Sequence, residues 1–141
     1  MKGFLDTSVL VATFYGDHEH HQPSKDLFLR YKKKEVGCAA HSLAEVYATL
    51  TGMPGKDRVS PDSALLFLAD VRDRLTLIAL TPEEYFETLE INSRVGVTGG
   101  GVYDALLAQC ALKAKADVIY TWNIKHFKRL MPAVASRVTT P

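Results

Sequence analysis

The chain opens on an apolar run, Met1 to Leu5, which stops at Asp6 and passes into the hydroxyls of Thr7 and Ser8. A short apolar run with a polar stop predicts a buried strand, and Ser8 to Tyr15 then predicts a helix broken by Gly16-Asp17. Gln22 to Lys33 carries Leu27, Phe28 and Tyr31 at helical spacing and predicts a second helix. Val36 to Ala40 is small and apolar, the pattern of a strand covered on both faces. The stripe Leu43, Val46, Tyr47 and Leu50 predicts a helix with Ser42 as its N-cap, Glu45 three residues on, and a stop at Gly52 to Gly55.

The second half continues the alternation. Ser60-Pro61-Asp62 is a cap followed by proline at the first helical position, and Ala64 to Val71 is mostly apolar. Leu75 to Leu80 predicts a strand, and Thr81-Pro82-Glu83-Glu84 opens a helix that runs to about Arg94. Gly96 to Gly101 lacks both the Lys-Ser/Thr of a P-loop and a GxGxxG spacing, so it reads as a flexible loop. Val102 to Lys115 is apolar almost all round, which predicts a central helix. Asp117 to Thr121 predicts a fourth strand, Ile124 to Leu130 a short basic helix, and Arg137 to Thr139 an edge strand. Long crossovers between short strands require parallel pairing. The expected fold class is therefore α/β: a three-layer α/β/α sandwich around a central, mainly parallel sheet of four to five strands, with residues 1–141 forming a single domain.

Composition narrows the options. Hydrophobic residues make up 47% and charged residues 23%, which suits a packed core and argues against disorder. No apolar run approaches the ~18 residues of a membrane-spanning helix, and Asp6 interrupts the first run too early for a secretory leader. Cys38 and Cys110 lie far apart and read as small core residues of a reduced, cytoplasmic protein. The net charge of +1 predicts no broad nucleic-acid-binding face. Two local basic clusters, Arg30 with Lys32 to Lys34 and Lys125 with Lys128 and Arg129, suit solvated helix ends and a phosphate-contacting rim equally. His18 and His21 share a helical face while His20 points elsewhere, and no Cys partner follows, so the three read as structural or surface residues rather than metal ligands.

Four polar residues fall at equivalent addresses. Asp6 follows the first strand, Glu45 the second and Asn123 the fourth, while Asp104 lies in the first turn of the most apolar helix. In a parallel sheet the first two and the last can converge, at the edge where such folds bind ligands. Capping explains each residue taken singly. Two details point beyond it. Glu45 shares its face with Ala44, Ala48 and Thr49, small residues that suit a cleft. Asp104 sits on a helix bound for burial with no Lys or Arg nearby in sequence. Carboxylates held together repel, and a hard divalent cation resolves the repulsion. Such an ion activates water and screens phosphate oxygens, so phosphodiester hydrolysis is the chemistry suggested.

The stretches Phe4-Leu5-Asp6-Thr7-Ser8, Ser42-Leu43-Ala44-Glu45-Val46, Tyr103-Asp104-Ala105-Leu106-Leu107-Ala108 and Thr121-Trp122-Asn123-Ile124-Lys125-His126-Phe127 resemble the PIN domain, in particular the VapC-type toxins of toxin–antitoxin pairs. The resemblance implies a Mg²⁺- or Mn²⁺-dependent endoribonuclease acting on RNA, a homodimer, and a small cognate antitoxin that occupies the cleft. It makes Asp6, Glu45 and Asp104 the acidic triad, with Asp6 and Asp104 as metal ligands and Asn123 in the fourth position. Thr7 and Thr121 match hydroxyl positions that order the cleft. There are two departures. Asn123 is neutral where the fourth residue is often Asp, and His126 stands where many relatives carry an acid, with a surface position expected for it. The alternative is a catalytically weak or inactive PIN-fold module that binds RNA or protein. A receiver-like signalling domain would need an Asp after the third strand, where the chain has Leu80-Thr81-Pro82.

Overall fold

A computed structural model describes residues 1–130 and 132–141. Its first half contains β1 (Gly3–Leu5), α1 (Thr7–Phe14), α2 (His21–Arg30), β2 (Val36–Ala39), α3 (Ala40–Gly52), α4 (Pro61–Arg74) and β3 (Thr76–Ile78). Its second half contains α5 (Pro82–Arg94), α6 (Gly101–Lys113), β4 (Val118–Tyr120), α7 (Ile124–Leu130), α8 (Pro132–Ala135) and β5 (Val138–Thr139). The five strands form one sheet in the order β3-β2-β1-β4-β5, and every neighbouring pair is parallel.

Alternating strand residues feed two cores. Phe4, Ala39 and Ile119 face a layer with Leu107, Ala111 and Phe127 from α6 and α7. Leu5, Val36 and Cys38 face the other layer, built from α1 to α4 through Val9, Leu10, Leu27, Val46, Leu50 and Val71. This is the expected three-layer sandwich, and its period-2 alternation on the strands is what divides one sheet between two cores. Gly37 in β2 is required by close approach: a Cβ there would lie 2.7 Å from the Thr76 carbonyl of β3. Both cysteines are buried and free. Burial pushes the Cys38 thiol up to about 12 and the Cys110 thiol up to about 11, so both are inert core residues.

The capping predictions hold at two helices and fail at a third. Ser60 caps α4 by accepting from the Ser63 N–H at 3.2 Å. At α5, Thr81 and Glu84 form a reciprocal capping box. Ser42, in contrast, does not cap α3. The helix starts at Ala40, directly from the last strand residue, and Ala39 takes the N-cap position with no side-chain bond. Ser42 is instead fully buried inside the helix, where its hydroxyl accepts from Thr7 Oγ1 at 2.9 Å. With no loop between β2 and α3, the Ser42 hydroxyl has a better partner on the neighbouring strand end than in its own backbone. Glu45 consequently falls in the second turn of α3 and is free of any capping duty.

Candidate active site

The sheet order reverses next to β1. The chain steps outward from β1 through β2 to β3, then returns to the other side of β1 as β4. Open parallel sheets form a crevice at such a switch, outside the carboxyl ends of the strands. Register then decides which side chains meet there. Leu5 pairs with Tyr120, and the Asp6 N–H donates to the Tyr120 carbonyl at 3.0 Å, so Asp6 and Thr121 emerge side by side.

Asp6 is 2% exposed and caps α1. Its Oδ2 accepts from Ser8 Oγ at 2.7 Å, from Thr121 Oγ1 at 2.8 Å and from the Ser8 N–H at 3.4 Å. Burial pushes its carboxyl up from the ordinary range, and these donors pull the other way. Thr121 Oγ1 in turn accepts from the Asn123 N–H at 2.9 Å, which orders the chain entering α7. Across the cleft, Thr7 Oγ1 lies 3.3 Å from Glu45 Oε1 and His41 Nε2 lies 3.9 Å from the same oxygen. Glu45 is half-buried. Burial, followed by the charges of Asp6 and then Asp104, raises its carboxyl to about 6. Asp104 on α6 is raised by burial first and by Asp6 second, while His126, with Nδ1 3.5 Å from Asp104 Oδ2, acts in the opposite sense.

Asp6, Thr7, Glu45, Asp104 and Asn123 all line one cleft of about 440 Å³. Thr121 is fully buried behind it, bonded to Asp6. The acidic residues predicted from spacing therefore converge. His126 is exposed, as expected, yet it reaches Asp104. His18 and His20 also line the cleft, which their spacing did not reveal. His21 plays a structural part, with Nδ1 3.0 Å from the Ala12 carbonyl, and His18 Nδ1 accepts from the His20 N–H at 3.0 Å. Ser8 was a second omission. Its hydroxyl joins Asp6 to the Trp122 N–H, and that link depends on the pairing of β1 with β4, which nothing in the local sequence encodes.

A model of the PIN domain matches residues 3–130. The chain belongs to the PIN domain family. This PIN domain is 34% identical to Ribonuclease VapC40 of Mycobacterium tuberculosis over 114 residues, 81% of each chain. It is 31% identical to Ribonuclease VapC27 of the same organism over 115 residues, 81% of this chain and 80% of that protein. Two solved structures share the fold. VapC20 of Mycobacterium tuberculosis, a sarcin-ricin loop cleaving toxin, has a TM-score of 0.71 at 17% identity, over 89% of this chain and 92% of its own. A chain of Rickettsia felis VapBC2, bound to a DNA fragment from its promoter, has a TM-score of 0.67 at 20% identity, over 99% of this chain and 98% of its own.

The PIN domain's cleft suits a hard cation. Three carboxyls are raised together, and no lysine or arginine is among the lining residues to offset them. The donors are carboxylate oxygens, the type that Mg²⁺ and Mn²⁺ prefer. Among the described residues no group of three or more His, Cys, Asp or Glu side chains is placed to hold a metal ion.

Proposed function

We propose that this PIN domain is a metal-dependent endoribonuclease that hydrolyses RNA phosphodiester bonds, and that it is the toxin of a type II toxin–antitoxin pair. The observation that carries the reading is the meeting of Asp6, Glu45 and Asp104 in a cleft lined by no lysine or arginine, with all three carboxyls raised. Relatives that carry the name ribonuclease at 34% and 31% identity support RNA as the substrate.

In this proposal Asp6 and Asp104 hold a Mg²⁺ or Mn²⁺ ion, which when bound acidifies water and screens phosphate oxygens. The chain's own residues do the rest. Ser8 and Thr121 fix Asp6 by occupying one of its oxygens. Glu45, raised to about 6, has a proton affinity near neutrality and accepts the proton of the attacking water. The Thr7 hydroxyl lies between Ser42 Oγ and Glu45 Oε1 and shares its single proton between them, which helps to orient Glu45. Asn123, exposed at the entrance to α7, offers a donor and an acceptor to the substrate phosphate or to water.

The chain acts as one domain and, on this reading, works in the cytoplasm as a homodimer whose cleft a small antitoxin occupies. Among the described residues no helix is long and apolar enough to cross a membrane. Leu65 and Leu66, exposed next to each other on α4, support an assembled state, since apolar side chains left at a surface favour partners. A second reading, a PIN-fold module that binds RNA or protein without cutting, is favoured only by the neutral Asn123.

The deciding experiment is RNA cleavage with Mg²⁺ or Mn²⁺ by the wild type, Asp6→Asn and Asp104→Asn. The wild type cleaves, EDTA abolishes the activity, and each variant loses more than the ~100-fold that loss of an outer partner of a metal site can cost. Equal rates in all three proteins, or cleavage that survives EDTA, reject the mechanism. Binding without cleavage under either metal selects the second reading.

A further inference from the structure

The cleft beside Asp6 has an aromatic wall that the acidic chemistry leaves unexplained. Trp122, the single tryptophan of the chain, lies two residues past the end of β4. It is anchored at both ends. Its backbone N–H donates to Ser8 Oγ at 3.0 Å, and its indole Nε1–H donates to the fully buried Ser24 Oγ at 2.9 Å. Ser8 Oγ is also the donor to Asp6 Oδ2, so one hydroxyl separates the anchor of the indole from the carboxylate.

The imidazole of His20 lies flat on this indole, with ring centroids 3.7 Å apart and planes 7° apart. His20 itself is weakly held. It sits in the turn before α2, and its backbone N–H donates to His18 Nδ1 at 3.0 Å. Apart from the indole, its ring lies 5.7 Å from that of His18 and approaches Glu19 Oε1 at 3.3 Å, and the Glu19 side chain is 81% exposed. A contact this exposed holds the ring only weakly. The indole is therefore costly to move and the imidazole is not.

No lysine or arginine lines the cleft itself, and the cations next to it, Lys125 and Arg129, line adjoining hollows. A means of holding a single strand that does not depend on charge is the π-face of an unpaired base, which stacks on aromatic side chains with little regard for sequence. We infer that Trp122 is the platform on which a nucleobase of the substrate stacks beside Asp6, and that His20 occupies that platform in the free protein and leaves when RNA binds. The inference rests on the ribonuclease reading for its choice of ligand. It makes Trp122 a positioning residue: a base seated there fixes the neighbouring phosphate next to the carboxylates.

The test uses the whole chain, EDTA to prevent cleavage, and a short labelled oligoadenylate as probe. Tryptophan emission reports contact at Trp122 alone, and anisotropy of the label reports total binding. The single strand quenches the emission of the wild type, and the same strand annealed to its complement does so far less. Trp122→Leu weakens binding about 5-fold or more, the lower end of one base–aromatic stack, while Trp122→Phe keeps most of the affinity. His20→Ala, an exposed-turn variant that does not depend on repacking, tightens binding about 2-fold or more because the competing imidazole is gone. Emission that stays unquenched where anisotropy shows binding overturns the proposal, as does a His20→Ala protein that binds less tightly than wild type. Quenching by RNA without cleavage in Mg²⁺ sinks the nuclease reading and leaves the platform standing. Cleavage without quenching does the reverse.

Discussion

Thr121 shows how much one hydroxyl carries. It is fully buried, it donates to Asp6 Oδ2, and it accepts from the Asn123 N–H. Thr121→Val keeps the shape and removes both bonds. Activity should fall roughly 10–100-fold, the usual cost of losing an outer partner at a metal site. Stability should fall by ~1–3 kcal/mol, because a buried carboxylate oxygen and a backbone N–H each lose a partner. Thr121→Ser, which restores the hydroxyl, should recover most of both. Thermal melts and initial cleavage rates on the three proteins check this, and a valine variant with wild-type rates would remove Thr121 from the site. The sequence marks Thr7 and Thr121 only through the family's motifs. Ser8 and Ser42, equally engaged, stay silent there because a hydroxyl's partner is set by strand register and burial rather than by neighbours in the chain.

At the scale of elements, periodicity and punctuation carried most of the fold. The strands at Gly3–Leu5, Val36–Ala39, Thr76–Ile78, Val118–Tyr120 and Val138–Thr139 all lie within the predicted stretches, shortened at their ends. The apolar Val102 to Lys115 segment is indeed the buried helix α6, with Ala105 to Ala108 all buried. The error at Ser42 has a physical source. A serine with a glutamate three residues on is an N-cap signal only where the backbone is extended, and here the helix had already begun at Ala40. The same signal at Thr81 is genuine, with Thr81 Oγ1 accepting from the Glu84 N–H at 3.1 Å and Glu84 Oε1 accepting from the Thr81 N–H at 3.2 Å. Glu84 also receives Lys113 Nζ at 2.7 Å, which ties α5 to α6. Thr81→Ala should cost ~0.5–2 kcal/mol in chemical denaturation. Its cleavage rate should stay at the wild-type level, since Thr81 is not among the cleft-lining residues. A lost rate with unchanged stability would contradict this division of labour.

Across the whole molecule, the switch in strand order brings acids from distant stretches of chain to one crevice, and the metal-free protein bears the cost. Glu45 is raised from an ordinary 4.5 to about 6, and Asp6 and Asp104 are raised as well. A carboxyl with a higher proton affinity folded than unfolded makes the folded state bind more protons between the two values. Stability from these groups is therefore full below their ordinary pKa and is lost as pH rises through the folded value, for Glu45 through about 6. Glu35 and Glu84 run the other way, lowered by Lys2 and Lys113, so their contribution fades only as pH falls below the ordinary 4.5, a separate window. In EDTA, then, melting temperature should rise as pH is lowered from about 7 to about 5. Mg²⁺ should reverse that slope, because its ligands must be deprotonated. At about 100 times its Kd and near neutral pH, Mg²⁺ should add ~2.7 kcal/mol, or roughly 10 °C for a chain of this size. Asp6→Asn keeps an oxygen to accept from Ser8 and Thr121 but removes one charge. Its metal-free slope should flatten and its response to Mg²⁺ should largely vanish. Scanning calorimetry across pH, with EDTA or with Mg²⁺, reads all three slopes. Equal melting temperatures across that range in EDTA would mean that burial, with repulsion from Asp6 at Glu45 and Asp104, does not raise these carboxyls, and the argument for a cation in this cleft would fall with it.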